Sequence, residues 1–574
     1  MIRTKNDIQH GQVVQADICL IGGGPAAISI ALQLSKLPIN VVMITGGGWS
    51  ETSANQDLHR GVVSPTEPHE PLEENRRRQF GGASAVWGGR CIPFEPIDFK
   101  PRGWVPDSGW PFSYERLLPY YRQAAQLCQI GDFSFSAHDT FPTAKREIIN
   151  GLDTEDIVSY PLERWSPPIN FAKAYKTELE RSESVQVLLD AHVLALQMQD
   201  SSERISHVDV TMGGVNFIVK AGSFVLAAGG IENPRLLLAS ANHYFPTGIG
   251  NQHDNVGRYY MAHLDGTYAE LNPKNREELL VDFERDAGVY CRRRWWIPEA
   301  TQTSRKLLNT IFFLYHPNTT NGHRDVLFSS RYVVKSLLSI VSQKSVGKAL
   351  RKWQELSPSV REHAGIIARD GLTQIPDLIQ LGLKRMAKRR LPFVLPARNT
   401  TYWGLYFQAE QRPNRASRVS LSSSARDAFG MPRAEVSISF TEDDIESVVD
   451  AHNLFVANFR EKNLGEVRYS EQGLREYLTK QIKTFNSAAH HIGTTRMSDD
   501  PQTGVVDGNS KVYGLDNLYV AGSSVFPTGG HANPTLTLVA QALRLADHLR
   551  EPFVPNEKFA GAPEYGNGVI QITD

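Results

Sequence analysis

Apolar positions along this chain repeat with two periods, and the switch from one to the other marks where strand gives way to helix. Residues 16–24 read ADICLIGGG, an apolar run of strand length that ends in three glycines. Apolar residues then recur at helical spacing (Ile28, Ala31, Leu32, Leu34, Leu37), and Pro25 suits the first turn, where its missing N–H costs nothing. A second strand is expected at Val41–Ile44, with further strand-like runs at Val185–Leu196 (VQVLLDAHVLAL) and Asn216–Ala228 (NFIVKAGSFVLAA). The last of these flows into Gly229-Gly230-Ile231-Glu232-Asn233-Pro234-Arg235, a turn followed by a helix. Near the C-terminus, Leu518–Ala521 reads as a buried strand, followed by a Gly-rich loop and an apolar helix opening at Asn533-Pro534. Arg398–Leu421 and the following SSSARDAFGMPRAEVSISF suggest alternating strands joined by a turn.

Length and composition add bounds. The 574 residues exceed one ordinary core, so two domains are expected. Hydrophobic content of 41% with 21% charge describes a soluble globular protein, and a formal net charge of −1 gives no field that argues for nucleic acid. Four cysteines without a CxxC pair give neither a sequence-evident zinc site nor a disulfide framework, so no metal is expected. The polar N-terminus lacks the apolar core of a signal peptide, and no apolar run approaches the ~20 residues of a membrane span. Cytoplasmic is the expected location. Residues 331–398 break the even charge: fourteen Lys and Arg against four acids leave +10. Val333, Val334, Leu337, Leu338 and Val341 give that stretch one apolar helical face. Such a basic amphipathic helix either packs on its own domain or contacts an anionic membrane or acidic partner.

Three stretches carry candidate chemistry. Gly22, Gly24 and Ala27 form GxGxxA between strand and helix, where glycines let the backbone approach a pyrophosphate held at the helix N-terminus. The strand that follows ends in Thr45 where an acidic residue would grip a ribose, and a hydroxyl cannot accept two bonds as a carboxylate does. Residues 76–99, RRRQFGGASAVWGGRCIPFEPIDF, place two glycine pairs around small residues and Trp87. Backbone there can lie against a flat, bulky ligand, with Arg78 or Arg90 near its phosphates. Residues 486–497, NSAAHHIGTTRM, set a histidine pair beside a small-residue turn, and with the loop before Asn533 they read as the reaction centre. Asn533-Pro534 also looks like an N-cap followed by Pro at the first helical position.

The Gly22 turn, GGASAVWGG, VLAAGGIENPRLLL (Val225–Leu238), VGRYYMAH (Val256–His263), HHIGTTRM and HANPTLT occur in the order seen in the glucose–methanol–choline (GMC) oxidoreductases. Within that family the chain most resembles the sugar-oxidising branch of pyranose oxidases and bacterial sugar dehydrogenases. The resemblance implies a mixed α/β and α+β fold. Residues 14–262 and 484–552 would form a discontinuous Rossmann-type FAD domain, and 263–483 a substrate domain on an antiparallel sheet that carries the 331–398 insert. It implies FAD contacts from Gly22, Gly24, Pro25, Ala26, Thr45, Arg78, Gly81, Gly82, Ser84, Val86, Trp87, Gly88, Gly89, Val193, Ala228, Gly229, Gly522, Asn533, Pro534 and Thr535. Members with covalent flavin use a histidine at the position of Val86, so noncovalent FAD is expected here.

The resemblance also places the family's catalytic histidine on His490, the start of HxxGTxRM. A neutral imidazole, with a reference pKa of ~6.5, is suited to take a hydroxyl proton while hydride passes to the flavin. Asn533 corresponds to the residue that hydrogen-bonds the substrate oxygen, with His531 as a competitor, and the helix after it can stabilise negative charge on reduced flavin. Gln408 or Glu410 would face the substrate, or both merely alternate outward on a half-wet sheet. The expected function is FAD-dependent oxidation of an alcohol, on a sugar, polyol or glycoside, with oxygen or a quinone-like acceptor. A redox-neutral lyase on the same scaffold, and a dehydrogenase subunit feeding a membrane carrier, are the alternatives.

Overall fold

The computed structural model describes residues 1–64, 69–143, 146–200, 203–315, 326–341, 346–372, 375, 402–483 and 489–554. Parts of the 331–398 insert, and residues 486–488 of the histidine motif, lie outside them.

The first layer is an eight-stranded sheet. Strand Val13–Ile21 lies between Val41–Ile44 and Val215–Leu226, and pairs in parallel with both. Strand Leu518–Val520 from the far end of the chain joins Val215–Leu226, also in parallel. Ile18, Cys19, Leu20, Val41, Val42 and Met43 are fully buried, as strands covered on both faces require. Helices Pro25–Leu34 and Thr535–Arg550 pack against each other over this sheet, so the two ends of the sequence close one core. The helix expected after the glycine turn forms, with Gly24 as its N-cap and Pro25 at the first position.

The run Val185–Leu196 is not one strand. Asp190 has a left-handed backbone (φ 53°) and accepts a hydrogen bond from Asn55, which splits the run into Val185–Leu188 and Ala191–Met198. The two halves lie far apart in the strand order, separated by the four strands between them.

The second layer is a five-stranded antiparallel sheet: Trp295–Trp296, Thr310–Tyr315, Trp403–Glu410, His263–Pro273 and Gly465–Arg468, in that order. Phe312, Leu405, Phe407 and Ala409 turn one face onto helix Glu442–Glu461, where Phe455 and Val449 receive them. Residues of opposite parity therefore face the other way, and these include His263, Asp265, Ile311 and Gln408. A four-stranded antiparallel sheet that sequence patterning did not reveal joins Arg90–Cys91 and Leu162–Trp165 to Val289–Arg293 and Glu284–Asp286. Early residues thus reach the five-stranded sheet, where Arg90 donates to Gln408. All four cysteines are free and buried.

Candidate active site

Strands Val13–Ile21, Val41–Ile44, Val215–Leu226 and Leu518–Val520 all end at one edge of the large sheet, and a cleft opens there. This is where parallel sheets bind ligands, because successive turns leave the strands in a common direction. Gly22 follows Ile21 with φ 133°, and a Cβ on it would stand 2.2 Å from the Ala227 carbonyl oxygen, so only glycine lets the two turns approach. A Cβ on Gly24 would meet nothing within 4 Å, which leaves open space at the start of helix Pro25–Leu34. No side chain caps that helix, so its first N–H groups are available to an anion.

Thr45 lies beneath the glycine turn. Its hydroxyl donates to the Gly47 carbonyl at 3.2 Å, and a Cβ on Gly23 would come within 2.4 Å of its oxygen. A longer acidic side chain would have little room there. Charge at this end comes instead from Arg78, expected from the sequence, and from four residues that motif reading passed over. Glu232 accepts from Arg76 (2.9 Å) and Arg235 (3.0 Å) and stands 3.5 Å from Arg78. Burial alone would raise its pKa, but the three guanidinium groups hold it well below the carboxylate range. Asp427 pairs with Arg235 at 2.6 Å, so three arginines face two carboxylates. Arg78 lines the cleft with a buried Nε that has no partner among the described residues. An orphaned cationic donor, a free helix N-terminus and a Cβ-free turn fit the phosphates of a dinucleotide such as FAD.

Of the residues expected to touch FAD, Gly22, Gly24, Pro25, Ala26, Thr45, Arg78, Gly82, Val193, Ala228, Gly229, Gly522, Pro534 and Thr535 line the cleft. Gly81, Ser84, Val86, Trp87, Gly88, Gly89 and Asn533 lie outside its wall. Most of the glycine block serves to hold the loop. Ser84 accepts from the Phe171 N–H, the Trp87 indole donates to the Ile169 carbonyl, and a Cβ on Gly89 would strike the Ser166 carbonyl. Val86 is 53% exposed. Arg90 is turned away from the dinucleotide end: it pairs with buried Glu163 and donates to Gln408 at 2.7 Å.

His490 lines the same cleft, half-buried. Met261 and Ile492 exchange backbone hydrogen bonds of 2.9 and 3.1 Å as an antiparallel bridge. That register sets residue 263 opposite residue 490, and the two imidazoles meet with Nδ1 to Nδ1 at 2.9 Å, their planes at 88°. His263 Nε2 lies 3.0 Å from the Gly530 carbonyl oxygen. Gly493 has φ 87° and abuts the Tyr259 carbonyl, while the Thr494 hydroxyl donates to the Gly230 carbonyl at 2.5 Å. The small residues after the histidine pair therefore pin this segment to the cofactor cleft. His491 lines the cleft too, and its ring centroid lies 6.0 Å from that of Tyr260. Burial, then His263, His491 and Arg90, hold the His490 pKa well below the usual imidazole value, so the ring is neutral.

Asn533 does not cap its helix, which begins at Thr535 with no side-chain cap. Its Oδ1 accepts from Gln408 Nε2 at 3.2 Å, and the same amide donates to the His531 carbonyl at 2.6 Å. Gln408 thus faces inward. Glu410 is occupied: Arg102 clamps its two oxygens at 2.7 and 2.6 Å, and it also accepts from the Asn309 N–H. His531 is fully buried with neither ring nitrogen hydrogen-bonded among the described residues, and lies outside the cleft wall. Among the described residues no cluster of His, Cys, Asp or Glu could hold a metal.

The family model "FAD dependent oxidoreductase" matches residues 17–380, and the model "GMC oxidoreductase" matches residues 413–542. The chain is 22% identical to 2-methyl-1,2-propanediol dehydrogenase of Mycolicibacterium austroafricanum, over 94% of this chain and 96% of that one. It is 25% identical to paromamine 6'-oxidase of Streptomyces fradiae, over 92% and 90%. The crystal structure of pyridoxine 4-oxidase from Mesorbium loti shares the fold with a TM-score of 0.55 at 17% identity, covering 93% of this chain and 99% of that one. The cleft, the two layers and both family matches lead to one assignment: the chain belongs to the GMC oxidoreductases, and is an FAD-dependent oxidoreductase acting on alcohol groups.

Proposed function

We propose that the substrate is a sugar, polyol or glycoside, and that His490 takes the proton of the hydroxyl being oxidised while Asn533 donates a hydrogen bond to its oxygen. The observation that carries this reading is the meeting of a neutral imidazole with the cofactor cleft, with its Nδ1 already engaged. Bound FAD supplies the acceptor for the hydride. Asn533 has its Oδ1 committed to Gln408, which leaves the Nδ2 hydrogens as donors to a developing alkoxide. Arg292 stacks on Phe313 at 3.7 Å, and Phe313 stacks on Tyr406 at 4.4 Å, so aromatic faces border the polar Arg90–Gln408 pair. Convergent polar groups bordered by aromatic rings suit a substrate that carries several hydroxyls. The diol and paromamine named for the two relatives favour the same class. Valine at position 86 offers no nucleophile, which supports noncovalent FAD.

A second observation favours passing electrons to a membrane carrier. Helices Val326–Val341 and Val346–Asp370 pack together as a pair, and leave Leu338 64% and Val341 80% exposed, with Val334, Leu337, Leu350 and Trp353 also exposed. The surrounding 331–398 segment carries +10 in a chain of net −1. An apolar stripe set in basic sequence matches an anionic lipid surface. None of the described helices is long and apolar enough to cross a membrane, so contact would be by lying on it. Mixing the holoprotein anaerobically with a panel of sugars, polyols and simple alcohols tests the substrate class: sugars or polyols are expected to bleach the flavin, and bleaching by simple alcohols alone would overturn it.

A further inference from the structure

The histidine that faces His490 is not a second base, because both of its ring nitrogens are already committed. Gly530 offers only a carbonyl oxygen, an acceptor, to His263 Nε2 at 3.0 Å, so that nitrogen carries the hydrogen. Burial lowers the His263 pKa to about 4, against the hydrogen bond to Gly530, which raises it. The ring is therefore neutral, with one hydrogen only, and its Nδ1 is a bare lone pair. Two bare nitrogens cannot face each other at 2.9 Å, so the hydrogen between the rings belongs to Nδ1 of His490. Nε2 of His490 is then unprotonated, and it makes no hydrogen bond among the described residues.

We propose that His263 is a positioning residue that fixes His490 in the tautomer able to act as a base, through the chain Gly530 carbonyl, His263, His490. The inference rests on the reading of His490 as the base. In the step it serves, the substrate O–H bond breaks and a new N–H bond forms at His490 Nε2. The electron pair left on oxygen becomes the second bond of the carbonyl as the C–H pair departs as hydride to the bound cofactor. The resulting imidazolium keeps its Nδ1–H on the lone pair of His263, and that bond strengthens when its donor becomes charged. Arg90 and His491 also face the His490 ring, and Arg90 and Glu410 face His263. Arg90 opposes a positive ring, so the acceptor on His263 is the nearest group that offsets it.

Two variants separate this role from simple packing. In His263→Asn an amide oxygen replaces the Nδ1 acceptor. In His263→Gln the amide reaches Gly530 instead, and no acceptor faces His490. With FAD-loaded protein, His263→Gln is expected to lower kcat by roughly 10–100-fold, with KM and flavin content unchanged, as loss of an orienting partner does elsewhere. His263→Asn is expected to stay within about threefold of wild type, since it keeps the acceptor. Equal losses in both variants, or a wild-type kcat in His263→Gln, would overturn the tautomer role. The reading of His490 is judged separately: if His490→Ala is inactive while His263→Gln turns over normally, only the positioning inference fails.

Discussion

Gln408 and Asn533, 125 positions apart, meet through a 3.2 Å hydrogen bond in which the glutamine amide donates to the asparagine carbonyl oxygen. Arg90 holds the other end of that glutamine at 2.7 Å, so the orientation of both amides is set from the four-stranded sheet. The Asn533 NH2 group is thereby left for the donor role proposed for it. Replacing Asn533 by Ala is expected to slow flavin reduction about a hundredfold or more, the usual cost of losing one donor to a developing oxyanion. Gln408→Leu frees the asparagine to flip and removes one of the two acceptors of Arg90, and a smaller loss, roughly tenfold, is expected. Stopped-flow reduction at saturating substrate reads both; an unchanged rate in Asn533→Ala would remove it from the site.

The attachment of the cofactor has a simple check. With valine at position 86, acid precipitation is expected to leave the yellow colour in the supernatant. Colour that stays with the pellet would mean a covalent bond from some other side chain.

Dependence on pH follows from the surroundings of His490. Its pKa is lowered by burial first and then by His263, His491 and Arg90. A lowered pKa keeps the base form populated further into acid, so activity is lost only as pH falls through the lowered value. The rate of flavin reduction is therefore expected to be level above the ordinary imidazole pKa of ~6.5 and to fall on the acid side only. A limb centred at or above that value, assigned to His490 by its loss in the variant, would contradict a neutral ring whose pKa is lowered.

The paired helices give a prediction of a different kind. Holoprotein is expected to sediment with vesicles rich in an anionic phospholipid, to release in high salt, and to ignore vesicles of neutral lipid. Replacing Leu338 and Val341 together by Glu is expected to abolish sedimentation with turnover unchanged. Retained binding in that variant would move the contact elsewhere.

Much of the cofactor side was legible because its chemistry is local. The glycine turn at Gly22 lies within one strand–turn–helix unit, and the clash that a Cβ would make with Ala227 leaves no other residue possible. The surroundings of Gln408 and Asn533 were less legible because their contacts are made between distant strands. Arg90 sits in a glycine-rich block that suggested phosphate binding, yet its partners are Glu163 and Gln408, which no spacing connects to it. Glu410 and Gln408 have the same strand parity, and only the position of Arg102 determines that the first is tied up. His263 ended a recognisable stretch, VGRYYMAH, but its role needs the pairing of Met261 with Ile492. Asp190 shows the local limit: an aspartate inside an apolar run broke a strand that periodicity alone would have continued.

The mechanism depends most on one imidazole, and one comparison examines it directly. His490→Ala and wild-type protein, both loaded with FAD, are mixed anaerobically with a sugar or polyol that bleaches the wild type, and the reduction rate is followed at the flavin band. Retained cofactor with a rate lower by about a hundred- to ten-thousand-fold is the expected result. Bleaching at the wild-type rate would show that the hydroxyl proton goes to another group.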